Sequence, residues 1–211
     1  MRIVKAPDVR RAEIMAVANK LFQMKGYTKT SVDEIVREAQ IAKGTFYYYF
    51  KSKEEILDAL TEQLVIDMAE GSEQIVHNEH LNAIDKICAI LSQQKSLTTE
   101  KQSVVDGMHL PENKALHERI NIETVRVFGP ILAKVVEQGN QEGVFQVEDP
   151  LSTVQFILAG SQFLLGQGIF NWSIQEEQAR TQAMFTLIER AFAAKPGSIL
   201  TALSAGLASG Q

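Results

Sequence analysis

Thr30 to Phe50 reads TSVDEIVREAQIAKGTFYYYF, and it decides how the rest of the chain is read. Ser31-Val32-Asp33-Glu34 has the form of a capping box: the Ser31 hydroxyl accepts from the Glu34 backbone N–H while the Glu34 carboxylate reaches back. Val32, Ile35, Val36 and Ala39 follow at helical spacing and give a short helix with one apolar side. After Gln40-Ile41-Ala42 a second short helix is expected, Lys43-Gly44-Thr45-Phe46-Tyr47-Tyr48-Tyr49-Phe50, aromatic and flanked by lysines. Two short helices about a tight turn are the helix-turn-helix arrangement, which sets the second helix in the DNA major groove with its first residues against base edges.

The residue types in that second helix suit the task. Lys43 and the backbone N–H groups after it face phosphate or guanine acceptors from a helix N-terminus. Gly44 lets the backbone come close, and Thr45 offers a hydroxyl together with a methyl for thymine. Tyr47 and Tyr48 are expected to meet phosphates or bases, and Phe46 and Phe50 the core; spacing leaves Tyr49 open. Thr30 and Ser31 are further candidates for the DNA backbone, with Arg2 and Lys5 as a basic arm.

Gly26-Tyr27, Thr30-Ser31-Val32, Ile35, Ala39, the run Lys43 to Phe50, Lys53 and Leu57 together resemble the N-terminal signature of the tetracycline-repressor (TetR) family. The resemblance runs from about Arg11 to Leu57 and joins a turn, a cap, an aromatic helix and a final lysine in order. It implies a transcriptional regulator, most often a repressor, and gives Lys53 the part of a phosphate clamp. Gln40 departs from the pattern, since the family often has glycine there and a side chain disfavours positive φ. Beyond Leu57 the resemblance is one of layout, and it names no ligand.

Working outward, Asp8 is expected to cap a first helix with the stripe Ile14, Val17, Ala18, Leu21 and Phe22, ending at Gly26. Ser52-Lys53-Glu54-Glu55 reads as a second capping box, opening a helix through Ile56, Leu60, Leu64 and Met68. Helical patterns then follow at roughly 81–94, 98–108, 113–141, 151–170 and 175–194, with Pro130 expected to kink or divide the third near Gly129. No alternating strand pattern or internal repeat is visible, so the chain is all-α. Residues 1–52 form the expected three-helix DNA-binding domain, its motif at about 31–50. Residues 53–195 form a helical ligand-binding and dimerisation domain. The tail 196–211, rich in Ala, Gly and Ser, is left open between disorder and weak docking.

Charge supports the division. Residues 1–53 hold eleven Lys/Arg against five Asp/Glu, a balance of +6, while the rest holds ten against twenty-one, a balance of −11. A basic head on an acidic body suits a protein that grips phosphates at one end. The 45% of apolar residues are ample for a core. The single cysteine, Cys88, excludes an internal disulfide framework and is expected to be buried filler. With no apolar leader after Met1, a cytoplasmic protein is expected. The uncharged run Leu151 to Gln175 carries too many Ser, Thr, Gln and Asn for a bilayer and reads as a buried soluble helix, so no membrane partner is expected.

The body offers candidates for a pocket and for an interface. Met108, His109, His117, Phe128, Gln162, Phe163, Gln167, Phe170 and Trp172 are plausible linings for a small-molecule effector of unknown identity, because pockets are mostly apolar with a few directed polar groups. On the last two long helices, Ala159, Gly160 and Phe163 face one way. There Ala183, Leu187 and Ala191 form one stripe and Met184 and Ile188 the next. A monomer would leave one of these faces bare, so a homodimer is expected.

No nucleophile elbow, phosphate loop or His-Glu-x-x-His motif is present, so no catalytic residue, cofactor or metal is assigned. His77-x-x-His80 is too common a spacing to carry a metal. The expected function is a DNA-binding regulator of duplex operators, released by an effector. The alternatives are a ligand-independent DNA-binding dimer and an enzyme on an all-helical body.

Overall fold

The computed structural model describes residues 6–166, 170 and 172–208, with the side chains of all of these except 205–208. Ten α-helices and one 3-10 turn make up its regular structure, with no strand among the described residues. The helices are α1 Pro7–Lys25, α2 Val32–Glu38, α3 Lys43–Tyr49, α4 Lys53–Val76, α5 Ala83–Glu100, α6 Gln102–Met108, α7 Lys114–Gln141, α8 Pro150–Leu165, α9 Ile174–Ala191 and α10 Ser198–Ala208; the 3-10 turn Pro111–Asn113 precedes α7. None is long and apolar enough to cross a membrane among the described residues.

The chain forms two compact units. The N-terminal unit takes the residues up to Val65 together with Leu97–Glu118, and the C-terminal unit takes Ile66–Ser96 with the residues from Arg119 on. The N-terminal unit therefore holds more of the chain than residues 1–52.

In the N-terminal unit, Ile14, Ala18 and Phe22 lie four apart on α1 and are fully buried, which puts the apolar stripe of the sequence on the core. Around them close Tyr27, Ile35, Phe46, Phe50, Ile56, Leu57 and Val104. Pro7, with its fixed φ and no N–H, starts α1 after Ala6, so Asp8 sits in the first turn and does not cap. Gly26, at φ 87°, ends α1 and donates its N–H to the Phe22 carbonyl at 2.8 Å.

In the C-terminal unit the core is built from Ala83, Ile90, Val135, Val136, Phe145, Val154, Phe192 and Ile199. Of the expected kink or division at Pro130, the division does not occur: α7 runs on through it, with Phe128, Gly129 and Ile131 around it buried. Asn140 ties the following loop by bonds to the Val147 N–H (2.9 Å) and carbonyl (2.8 Å). The buried Lys86 donates to the terminal α4 carbonyl of Val76 (2.5 Å) and to Gln138 Oε1 (2.6 Å), satisfying a helix end with a cation. Cys88 is only half-buried, and that burial pushes its thiol up, away from the reactive thiolate.

The tail is ordered by a buried carboxylate. Glu189, 4% exposed, accepts from the backbone N–H groups of Gly197 (2.7 Å), Ile199 (2.9 Å) and Leu200 (3.3 Å) at the start of α10. Anions are favoured at a helix N-terminus, and Ile199 is fully buried beside it, so residues 198–208 dock as a helix.

The uncharged run is not one buried helix. It gives α8, on which Val154 is buried while Phe156, Ala159, Gly160, Phe163 and Leu164 lie exposed on the single chain.

Candidate nucleic-acid interface

The two helices of the motif are set by local chemistry. The Thr30 hydroxyl donates to the Gly26 carbonyl at 2.9 Å and is 2% exposed, so it closes the turn after α1 and offers no free donor. Ser31 makes the full capping box: its hydroxyl accepts from the Glu34 N–H at 3.3 Å, and Glu34 accepts from the Ser31 N–H at 3.0 Å. Lys25, foremost, and then Ser31 hold the Glu34 carboxyl down to about 2. Ser31 thus spends its polar groups on the cap, although it remains exposed. Gln40 adopts φ 53°, the left-handed conformation that a glycine would take without strain.

Helix α3 divides its aromatic rings by burial. Phe46 and Phe50 are buried and Tyr49 packs partly against the same core, which answers what spacing left open. Tyr48 is 78% exposed and Tyr47 half exposed, with Gly44 beside them and Thr45 partly exposed. Lys43, the first residue of α3, pairs with Asp33 in the first turn of α2: Nζ to Oδ1 is 2.8 Å. Its hydrogen bond to Asp33, and then that carboxylate's charge, raise the Lys43 ammonium. Both side chains are largely exposed, where such a pair contributes little to stability and opens readily for a better partner.

Lys53 is half-buried. Its Nζ donates to the Tyr27 carbonyl at 3.1 Å and lies 4.2 Å from the centre of the Tyr27 ring. Tyr27 in turn donates to Glu54 at 3.1 Å, and burial first, then Glu54, push its phenol up, so it stays a neutral donor. Lys53 therefore fastens the start of α4 to the turn after α1. The second capping box is half made: Ser52 accepts from the Glu55 N–H, but Glu55 accepts from the Lys51 N–H at 2.6 Å. Arg2 and Lys5 lie outside the described residues.

The proposed pocket linings are divided between the units. Met108, His109 and His117 belong to the N-terminal one, where the two imidazole rings lie 4.6 Å apart. Burial, and then the neighbouring His109, lower His117. The other described candidates belong to the C-terminal unit. Phe163, Phe170 and Trp172 form a continuous aromatic group there, with Arg180 stacked 3.4 Å over Trp172. Phe128 is a core residue, 2% exposed. The Gln162 side-chain oxygen is buried and accepts no hydrogen bond among the described residues. Gln167 lies outside the described residues. Two open clefts of about 470 and 360 Å³ in the C-terminal unit, one beside Phe185 and one beside Lys86, involve none of these candidates.

The interface candidates resolve into an outward and an inward stripe. Ala159, Gly160, Phe163, Ala183, Leu187 and Ala191 are exposed, whereas Ile188 packs against the core and Met184 is half-buried. Two features escaped the sequence reading. Asp33 was not marked as the partner of Lys43, although opposite charges flanking the turn were the available signal. Nothing local marked Val104 of α6 as part of the reader's own core.

Comparison with known proteins agrees with this geometry. The family described as bacterial regulatory proteins, tetR family, matches residues 14–60, and a tetracyclin repressor-like C-terminal domain matches 95–187. A fatty acid metabolism regulator protein of Bacillus subtilis is 29% identical over 134 residues, covering 62% of this chain and 68% of the relative. The HTH-type transcriptional regulator YhgD of the same organism is 26% identical over 183 residues, covering 85% and 93%. Among solved structures, RolR in complex with resorcinol shares the fold at a TM-score of 0.61, with 21% identity and coverage of 93% and 92%.

Proposed function

The chain belongs to the tetR family of bacterial regulatory proteins and is a DNA-binding transcriptional regulator, and on that premise we propose that it is a homodimeric repressor whose reading surface is α3 and whose hold on DNA is released by a small-molecule effector. The observation that carries the reading surface is the division of α3: Phe46 and Phe50 anchor it while Gly44, Tyr47 and Tyr48 stand free at its exposed side. Lys43 and Thr45 complete the base-facing set. Lys53, Thr30 and Ser31 support it by fixing the turn and cap around it.

Replacing Tyr48 with Ala is expected to weaken operator binding about tenfold with no change in thermal midpoint, because an exposed ring contributes little to folding. Fluorescence anisotropy and circular dichroism read the two quantities. Unchanged affinity would count against α3 as the reading helix.

For the effector, the buried Gln162 oxygen, which accepts no hydrogen bond among the described residues, supports a small, largely apolar molecule carrying at least one hydrogen-bond donor. RolR, solved with resorcinol, is a fold relative that binds a molecule of that kind. Helix α4 has residues in both units and is the natural element for a ligand to bias. A molecule found by thermal-shift screening should bind free protein about a hundredfold better than operator-bound protein, a coupling of roughly 2.7 kcal/mol. Equal calorimetric affinity with and without operator would remove it as the releasing effector.

A further inference from the structure

We infer that Asp33 and Lys43 work as one unit that reads a single G·C base pair, an inference that rests on the assignment of α3 as the DNA-reading helix. Asp33 lies in the first turn of α2 and Lys43 is the first residue of α3, so their ion pair bridges the two helices at the end of α3 that enters the groove. The side chains are 73% and 57% exposed. Neither carboxylate nor ammonium has another hydrogen bond among the described residues, so each keeps donor or acceptor capacity for DNA.

The pair presents a donor next to an acceptor, 2.8 Å apart. A G·C pair presents the complement in the major groove: guanine O6 accepts, cytosine N4 donates, and the two are themselves hydrogen-bonded at about 2.9 Å. Docked together, Lys43 Nζ donates to O6 and N4 donates to the Asp33 carboxylate, which closes a ring of four hydrogen bonds. A T·A pair offers the same central acceptor and donor, but its flanks are wrong. The thymine methyl falls beside the ammonium, and adenine N7, an acceptor, falls beside the carboxylate. With G·C in the proper sense, guanine N7 falls beside the ammonium instead. On the reversed pairs, C·G and A·T, the carboxylate meets an acceptor and the ammonium meets a donor, and on T·A the carboxylate lies against N7, so Asp33 acts chiefly by penalising the wrong sequence.

The test uses the full chain and duplexes selected from a random-sequence pool, followed by relative affinities for every single-base-pair variant of the selected duplex. The unmodified protein should lose about tenfold or more when one symmetric pair of G·C positions is changed. Asp33→Asn, which keeps the shape of an exposed residue, should flatten the preference at those positions alone and bind random duplex more tightly. An unchanged profile for Asp33→Asn, or an equal loss at every position, overturns the inference while leaving α3 as the reader. Absence of any sequence preference in the unmodified protein overturns both.

Discussion

Leu187→Glu should turn the protein into a monomer that binds its operator at least about a hundredfold more weakly. Leu187 is 63% exposed on the single chain, between the exposed Ala183 and Ala191 of α9. On α8, which packs against α9, Phe156 is 81% exposed, and Ala159, Gly160 and Phe163 are exposed as well. Soluble monomers rarely carry apolar patches of this kind without a partner. Two copies related by a two-fold axis would cover both at once, and Ala159 and Gly160 would allow close approach of the helices. A carboxylate at its centre has no counter-charge and keeps the face in water. Operator binding then falls, because two linked readers exceed one by about 10²–10⁴ through effective concentration alone. Sedimentation and anisotropy check both parts. A dimeric Leu187→Glu variant would place the interface elsewhere.

Phe46→Ala should be as damaging, for the opposite reason. Its ring is fully buried beside Tyr47 and Phe50 at centroid distances of 5.3 and 6.3 Å. Truncating such a ring costs about 3–5 kcal/mol, a large share of the roughly 5–15 kcal/mol that holds a domain. Helix α3 has only seven residues, too few to persist without its anchor. The expected result is a thermal midpoint lower by about 10 °C or more and loss of operator binding. Tyr48→Ala, two residues on, is expected to lose only DNA. A Phe46→Ala variant with an unchanged midpoint would show that the ring is not the anchor.

The contrast between Phe46 and Tyr48 also marks what the sequence discloses. The capping box at Ser31, the stripe of α1 and the inward phenylalanines are set by neighbours within four residues, and local spacing finds them. Leu187 and Ile188 are adjacent on one helix, and each lies on a plausible stripe. Only packing against the core of the C-terminal unit shows that Ile188 faces in. Glu189 looks like a surface residue of an amphipathic helix until the N–H groups of residues 197–200 come to it from a separate helix. Pro130 signalled a kink or a division, and of the two the division does not occur, because the residues around it are buried. Thr30 and Lys53, candidates for phosphate by pattern, turn their polar atoms onto Gly26 and Tyr27, because the backbone carbonyls left by a helix end need partners first.

The central claim is that two copies joined through α8 and α9 present two α3 helices to one operator. Sedimentation of the unmodified protein with labelled operator tests it directly. Two protomers per duplex are expected, with half-sites about one helical turn apart and affinity collapsing when one half-site is scrambled. One protomer per duplex, at an affinity indifferent to the second half-site, would contradict it.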